Sequence, residues 1–353
     1  MPAEAIRGQN NYRFVVPELT GPSTGGTVFN RELVKALAAA GVAHDVLERA
    51  EAEYALAGAE RGLYLLDTLF LGSLPRLARL SGPARPLVLL AHYLPALVRY
   101  GAGVKASDLS ADEALALFHM AGCVAPSDFM RRIVERLCGS PRPVVTVEPG
   151  RLATGLSPLP NSSDTLRVVV VAHLVPGKGV DRLLSALATT LTPSDDVTIT
   201  VVGSLTQDPA HAAACRVFAT TPTLRERAKL VGELSPEAVN ERIAESDLLL
   251  SASSMESFGI VLAEARTLGV PIVARAGGNV ANLVGPESGG ELVPDPAGVA
   301  TACVALARNR AELAARRARA RENALRPRPW SQVAREFVRA ADELGAAIER
   351  TKL

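Results

Sequence analysis

The sequence predicts an α/β protein made of two doubly wound parallel-sheet domains in tandem. Short apolar runs alternate with longer helical patterns, as in a parallel sheet whose strands are joined by crossover helices. The alternation lapses between 151 and 165 and then restarts. The chain has 353 residues, beyond the roughly 250–300 at which a single core stops growing.

In order along the chain, YRFVVP (12–17) reads as the first strand. FNRELVKALAAAG (29–41) has apolar residues at helical spacing and stops at Gly41. GLYLLD (62–67) and PLVLLAH (86–92) read as buried strands. GCVAPS (122–127) is another, followed by the helical DFMRRIVERLCG, and PVVTVEPG (143–150) closes this half. RLATGLSPLPNSSDT (151–165) is rich in Pro, Ser and Thr without periodicity and reads as a linker. LRVVVVAH (166–173) is the continuous apolar run of a strand covered on both faces. VDRLLSALAT supplies its helix. DVTITVVGS, KLVGEL, SDLLLSAS and VPIVARAGG supply four more strands, with helices between them. The basic run 308–328 reads as a solvated helix face. WSQVAREFVRAADELGAAIER, after a Pro-Arg-Pro break, is a helix with an apolar stripe that need not belong to the domain before it.

Apolar residues at 48% and charged residues at 21% are those of an ordinary globular protein. A net charge of +1 gives no drive toward nucleic acid, and none is expected as a partner. Cys123, Cys138, Cys215 and Cys303 lie far apart with no Cys-x-x-Cys spacing, so the expectation is reduced buried thiols, without structural zinc or a disulfide framework. MPAEAIRGQNNYRF has no apolar signal core, and no stretch reaches the 18 or so uncharged apolar residues of a membrane helix. The expected location is the cytoplasm, with peripheral contact at the inner face of the membrane left open. Oligomeric state is not legible.

The stretch SDLLLSASSMESFGIVLAEARTLG reads as strand, loop and helix. Phe258, Gly259, Ile260 and Val261 fall at the start of that helix, where free backbone N–H groups and the positive dipole end suit phosphate oxygens. Glu264, about one and a half turns further on, is placed to accept hydrogen bonds from the paired hydroxyls of a ribose. Glu256, in the loop, would face the reacting end of the same ligand. The ordinary alternative makes Glu256 a cap-region residue and Glu264 a surface residue. VAHLVPGKGVDRLLSAL adds a strand ending near His173 and a turn carrying Lys178, whose ammonium can neutralise a phosphate. Many such turns hold Gly-Lys for solubility alone. After the first strand, GPSTGGTVFNREL (21–33) places Gly25 and Gly26 at a helix start that could line a crevice. His92 ends PLVLLAH and points at the same crevice, although a lone histidine is more often structural.

These pieces, in this order, resemble the GT-B glycosyltransferases, and within them glycosyltransferase family four, the glycosyl transferases group 1, a retaining and nucleotide-sugar-dependent group. LRVVVVAHLVPGKGVDRLLSAL resembles the family's strand-turn-helix with its basic pair. AESDLLLSASSMESFGIVLAEARTLGVPIVARAGGN resembles its Glu-x7-Glu motif and following Gly-Gly turn, and is the more specific block. GPSTGGTVFNRELVKALAAAGV and LLAHYLP are similar to the first domain's Gly-Gly loop and strand-end histidine. APSDFMRRIVERL and VVTVEPGRL fit the run into the linker.

The resemblance implies two Rossmann-like domains facing each other across a cleft. Residues 1–155 would form the acceptor-side domain, rejoined by a crossover helix at 331–353, and 156–330 the nucleotide-sugar domain. It implies that Glu256 sits by the transferred sugar and that His92 lines the donor–acceptor centre. Glu264 would bind the ribose. Lys178 and His173, with the amides near Phe258, Gly259, Ile260 and Val261, would hold the diphosphate, and Gly25 and Gly26 would close over the phosphates. The implied reaction moves a hexose-type sugar from a UDP- or GDP-sugar co-substrate to an unidentified glycan, lipid or small-molecule acceptor. It proceeds by front-face displacement, with no cofactor and no metal. Three positions depart from the pattern. His173 stands where the family has Arg, a stronger diphosphate partner. Glu148-Pro149-Gly150 replaces Asn-Gly. Asn279 and Asn282 follow the late Gly-Gly turn where an acidic residue is usual.

Two other function classes compete. A nucleotide-sugar epimerase of the same fold would need its own acid/base carboxylates. A non-catalytic nucleotide-sugar-binding protein would show no donor hydrolysis. A dinucleotide oxidoreductase is disfavoured because the first-strand loop is not Gly-x-Gly-x-x-Gly.

Overall fold

The computed structural model describes residues 11–19, 24–139, 142–158 and 165–350. Gly21, Pro22 and Ser23 of the first glycine-rich loop, and 159–164 of the linker, lie outside the described residues. The chain divides into two compact units, one of residues 1–150 with 328–353 and one of 151–327.

The first unit runs β1 (Tyr12–Val15), α1 (Gly25–Ala39), β2 (His44–Leu47), α2 (Arg49–Ala57), β3 (Leu63–Asp67), α3 (Leu74–Leu80), β4 (Leu87–Leu90), α4 (Pro95–Tyr100), α5 (Ala111–His119), β5 (Gly122–Ala125), α6 (Asp128–Cys138) and β6 (Val144–Thr146). Its sheet is parallel with order β2-β1-β3-β4-β5-β6, which puts the topological switch point between β1 and β3. β3, β4 and β5 are buried along their whole length, matching their continuous apolar sequences. β2, absent from the sequence reading, is an edge strand with the mixed sequence HDVL and no fully buried residue. α6 starts on Ser127, whose hydroxyl accepts from the Met130 N–H, and stops at Gly139 in the left-handed region.

The final helix, α13 (Trp330–Arg350), belongs to this unit. Its stripe of Val333, Phe337, Ala341, Leu344 and Ile348 is buried in the same core as β1. Phe337 packs edge-on to Tyr12 at 5.5 Å between ring centres, and the Tyr12 hydroxyl donates to Asp342 at 2.8 Å. Gly150, in the Glu-Pro-Gly departure, lies under the Trp330 indole, where a Cβ would come within 2.7 Å of the ring. That position needs glycine for packing.

The second unit runs β7 (Leu166–Val171), α7 (Val180–Thr190), β8 (Val197–Val202), α8 (Pro209–Ala219), β9 (Ala228–Gly232), α9 (Pro236–Ala244), β10 (Leu248–Ser251), α10 (Ile260–Leu268), β11 (Ile272–Arg275), β12 (Glu291–Val293), α11 (Pro296–Arg308) and α12 (Arg310–Glu322). The sheet is again parallel, in order β12-β11-β10-β7-β8-β9, and reverses between β7 and β10. The loops after those two strands therefore bound the crevice where ligands of doubly wound sheets bind.

The basic run is only partly a solvated face. Arg317 of α12 pairs with Asp247 at 3.1 Å, and Arg167 of β7 closes on the same carboxylate at 3.0 Å. Arg316 pairs with Glu291 and Glu312. Asp247 and Glu291, far off in sequence, draw these arginines inward, which local charge density does not reveal. Cys123, Cys215 and Cys303 are buried free thiols and Cys138 is half-buried. Among the described residues no helix is long and apolar enough to cross a membrane.

Candidate active site

In the second unit, the turn after β7 and the loop after β10 are built against each other. Ser254 donates both its N–H and its hydroxyl to the Gly177 carbonyl, each at 3.0 Å. Gly179 has φ +63°, and a Cβ there would meet the Ala252 carbonyl oxygen at 2.7 Å, so both the turn and the close approach require glycine. This junction puts the ammonium of Lys178 2.6 Å from Glu256 Oε1. Both side chains stay partly open to solvent, at 32% and 20%.

The Gly-Gly turn after β11 holds the Glu256 loop from the other side. Any Cβ at Gly277 or Gly278 would overlap the carbonyl oxygens of Ser254 and Glu256. The Asn279 N–H donates to the Glu256 carbonyl at 2.7 Å, and its side-chain amide donates to the Phe258 carbonyl at 2.8 Å. Asn282 in turn donates to Asn279 Oδ1 at 2.7 Å. These asparagines brace the loop, a positional role that the sequence reading did not assign.

Gly259 is the residue from which α10 starts, with φ +93°. A side chain would be strained there, and no side chain caps this helix end. The N–H groups of Ile260 and Val261 open the first turn, so the positive end of the helix lies a few residues from Glu256. Phe258 is buried in the core beneath.

His173 follows β7. Its Nδ1 accepts the Ser204 N–H at 3.0 Å, so in this arrangement the ring proton sits on Nε2. The ring is tied to the loop after β8.

Glu264 is 5% exposed and not a surface residue. Its Oε1 accepts the Leu152 N–H at 2.7 Å and its Oε2 the Ala153 N–H at 2.9 Å. Burial pushes its carboxyl above the ordinary glutamate value, while those two N–H groups, Arg151 and the Asn240 amide pull the other way. The carboxylate thus ties the segment after position 150 to α10.

In the first unit, α1 begins at Gly25 and Gly26, with Thr24 Oγ1 accepting the Thr27 N–H at 3.2 Å. A Cβ at Gly26 would meet the His92 ring at 3.2 Å. His92 packs on Phe29 at 4.9 Å between ring centres. Its Nε2 lies 2.9 Å from Asn30 Oδ1, and Asn30 donates through Nδ2 to Asp67 Oδ2 at 2.6 Å. Burial holds the imidazole below its ordinary pKa, with Asp67 pulling it up. Asn30 and Asp67 were missed in the sequence. The available signal was a polar residue at 30 on the helical face that also carries Phe29, Leu33 and Leu37, all buried.

Each unit thus gathers its own set. Lys178, Glu256, Gly259, Ile260 and Val261 come together in the second, with His173 on the flanking loop and Glu264 in α10 tied to the linker. Gly25, Gly26 and His92 come together in the first.

Residues 157–326 match the sequence profile described as "Glycosyl transferases group 1". The chain is 29% identical over 240 residues to the phosphatidyl-myo-inositol mannosyltransferase of Mycobacterium leprae, covering 66% of this chain and 62% of that protein. It is 28% identical over 134 residues to the phosphatidylinositol N-acetylglucosaminyltransferase GPI3 subunit of Saccharomyces cerevisiae, covering 38% of this chain and 29% of that one. The matches therefore span less than two thirds of those relatives' own lengths. Sucrose-phosphate synthase from Thermosynechococcus elongatus superposes with a TM-score of 0.77 at 18% identity, covering 96% of this chain and all of that one. Anabaena HepE, solved with UDP and glucose, superposes with a TM-score of 0.74 at 18% identity, over 94% and 99% of the two chains. Residues 157–326, which make up nearly all of the second unit, thus match the glycosyl transferases group 1, and the chain's two parallel six-stranded sheets have the GT-B fold.

Proposed function

We propose that this protein is a retaining glycosyltransferase that moves a hexose-type sugar from a nucleoside-diphosphate donor to a hydroxyl acceptor. The carrying observation is the Lys178–Glu256 contact at 2.6 Å beside the uncapped start of α10. Glycosyl transfer develops positive charge at the anomeric carbon and negative charge on the departing diphosphate. A carboxylate for the first and an ammonium with helix amides for the second answer both demands, and such fixed charges are the largest lever in catalysis of this kind.

In the proposed reaction the bond from the anomeric carbon to the diphosphate oxygen breaks. A bond to the acceptor oxygen forms on the same face, and the acceptor's proton passes to the departing diphosphate. Glu256 stabilises the oxocarbenium-like carbon. Lys178 and the N–H groups of Ile260 and Val261 hold the diphosphate, and His173 adds an Nε2–H donor. Within the first unit, His92 with Gly25 and Gly26 forms the acceptor-side set.

The relatives' names mention phosphatidylinositol and D-inositol 3-phosphate, and HepE was solved with UDP-glucose. UDP- and GDP-sugars, with free and lipid-borne inositols as acceptors, therefore head the screen. NMR of the product anomer, followed from the start of reaction, tests the stereochemistry: an α-linked donor is expected to give an α-linked product, and an inverted product would overturn the mechanism. Because Lys178 and the α10 amides answer the diphosphate charge, turnover is expected to survive excess chelator. Complete loss, restored by magnesium or manganese, would count against this reading.

A further inference from the structure

We propose that Asp67 and Asn30 are positioning residues that hold the His92 ring in its Nε2–H form and leave Nδ1 as an acceptor for a sugar hydroxyl. This rests on the reading of His92 as a sugar-facing residue of the acceptor-side set in the first unit. Asp67 and Asn30 are both fully buried. Asp67 ends β3, Asn30 lies in the helix after β1, and His92 follows β4, so the three meet at the switch point of the first sheet.

The direction of each hydrogen bond follows from Asp67. An ionised carboxylate only accepts. Its Oδ1 takes the Leu69 N–H at 2.8 Å, and its Oδ2 takes the Asn30 amide at 2.6 Å. That turns Asn30 Oδ1 toward His92 at 2.9 Å, and an amide oxygen there requires the proton on Nε2. Phe29 and the missing side chain at Gly26 fix the plane of the ring. Apolar side chains would fill this volume without the desolvation of a buried carboxylate, so packing alone does not account for the chain of polar groups.

The test is Asp67→Asn, which keeps the shape and reverses the order of donors. The new amide must present its oxygen to the immobile Leu69 N–H and its NH2 to Asn30. Asn30 then turns its own NH2 toward His92, whose Nε2 becomes the acceptor, and the ring proton moves to Nδ1. Nitrogen-15 NMR of histidine-labelled protein reads this directly, with the His92 signals assigned by their absence in His92→Gln. Wild type is expected to show a protonated Nε2 and a bare Nδ1, and Asp67→Asn the reverse. Turnover with the preferred nucleotide sugar is expected to fall about ten- to hundredfold with nucleotide affinity unchanged. A bare Nε2 in wild type overturns the proposal even if the variant does not fold. An unchanged tautomer in Asp67→Asn also overturns it, as does a switched tautomer with undiminished turnover. The spectra are read without substrate, so a failure of the glycosyltransferase reading shows separately, as absence of transfer by the wild type.

Discussion

Glu256→Gln is expected to lower turnover by about a hundredfold or more while nucleotide affinity stays the same or rises. The substitution keeps shape and hydrogen-bonding capacity but removes the charge proposed to face the anomeric carbon. A carboxylate acting mainly in the transition state contributes little to ground-state binding, so its loss shows in kcat. Lys178 is engaged by Glu256 at 2.6 Å. Removing that partner frees the ammonium for the diphosphate, which is why affinity does not fall. Thermal stability is expected to change little, since both side chains of the pair remain partly solvated. Steady-state kinetics with calorimetry on the nucleoside diphosphate decide the matter. A variant that retains wild-type kcat, or one that loses nucleotide binding and turnover in step, removes Glu256 from the reacting centre.

Legibility of the fold followed burial on both faces. β3, β4, β5, β7 and β10 announce themselves as continuous apolar runs because helices cover both sides of them. β2 and β12 are short edge strands with little buried surface, so HDVL and ELV carry no such pattern. The candidate site divides in a similar way. Gly179 and Gly259 stand out in the sequence because backbone at φ +63° and +93° excludes side chains. The glycines at 277 and 278 stand out because neighbouring carbonyls occupy the space of a Cβ. The contacts of Asn30, Asp67 and Glu264 depend on residues 37, 62 and more than 100 positions away. Tertiary structure brings those groups together, and the sequence marks only their positions, as a polar Asn30 on an otherwise buried helical face and a Glu264 inside an apolar helix, and not their partners.

Glu264 is expected to carry two roles that a single substitution confounds. Glu264→Ala leaves the N–H groups of Leu152 and Ala153 without acceptors, and unmet donors of this kind cost about 1–3 kcal/mol each. The variant is therefore expected to lose about 2–6 kcal/mol of stability before any ligand is considered. Glu264→Gln rescues only one of the two, because its NH2 must face the other N–H. Weakened nucleotide binding in either variant would thus report damage to the linker as readily as a lost ribose contact. The ligand separates the roles where the protein does not. Wild-type enzyme titrated with the preferred nucleoside diphosphate and with its 2′,3′-dideoxy counterpart keeps the linker intact and removes only the hydroxyls. With two backbone N–H groups and the Asn240 amide already drawing on the carboxylate, roughly one of its four acceptor positions remains for a ribose hydroxyl. The dideoxy nucleotide is then expected to bind about ten- to hundredfold more weakly, the loss of one hydrogen bond to a buried charge. Equal affinity for the two nucleotides would remove Glu264 from the ribose site and leave it as the residue that fastens the linker to α10.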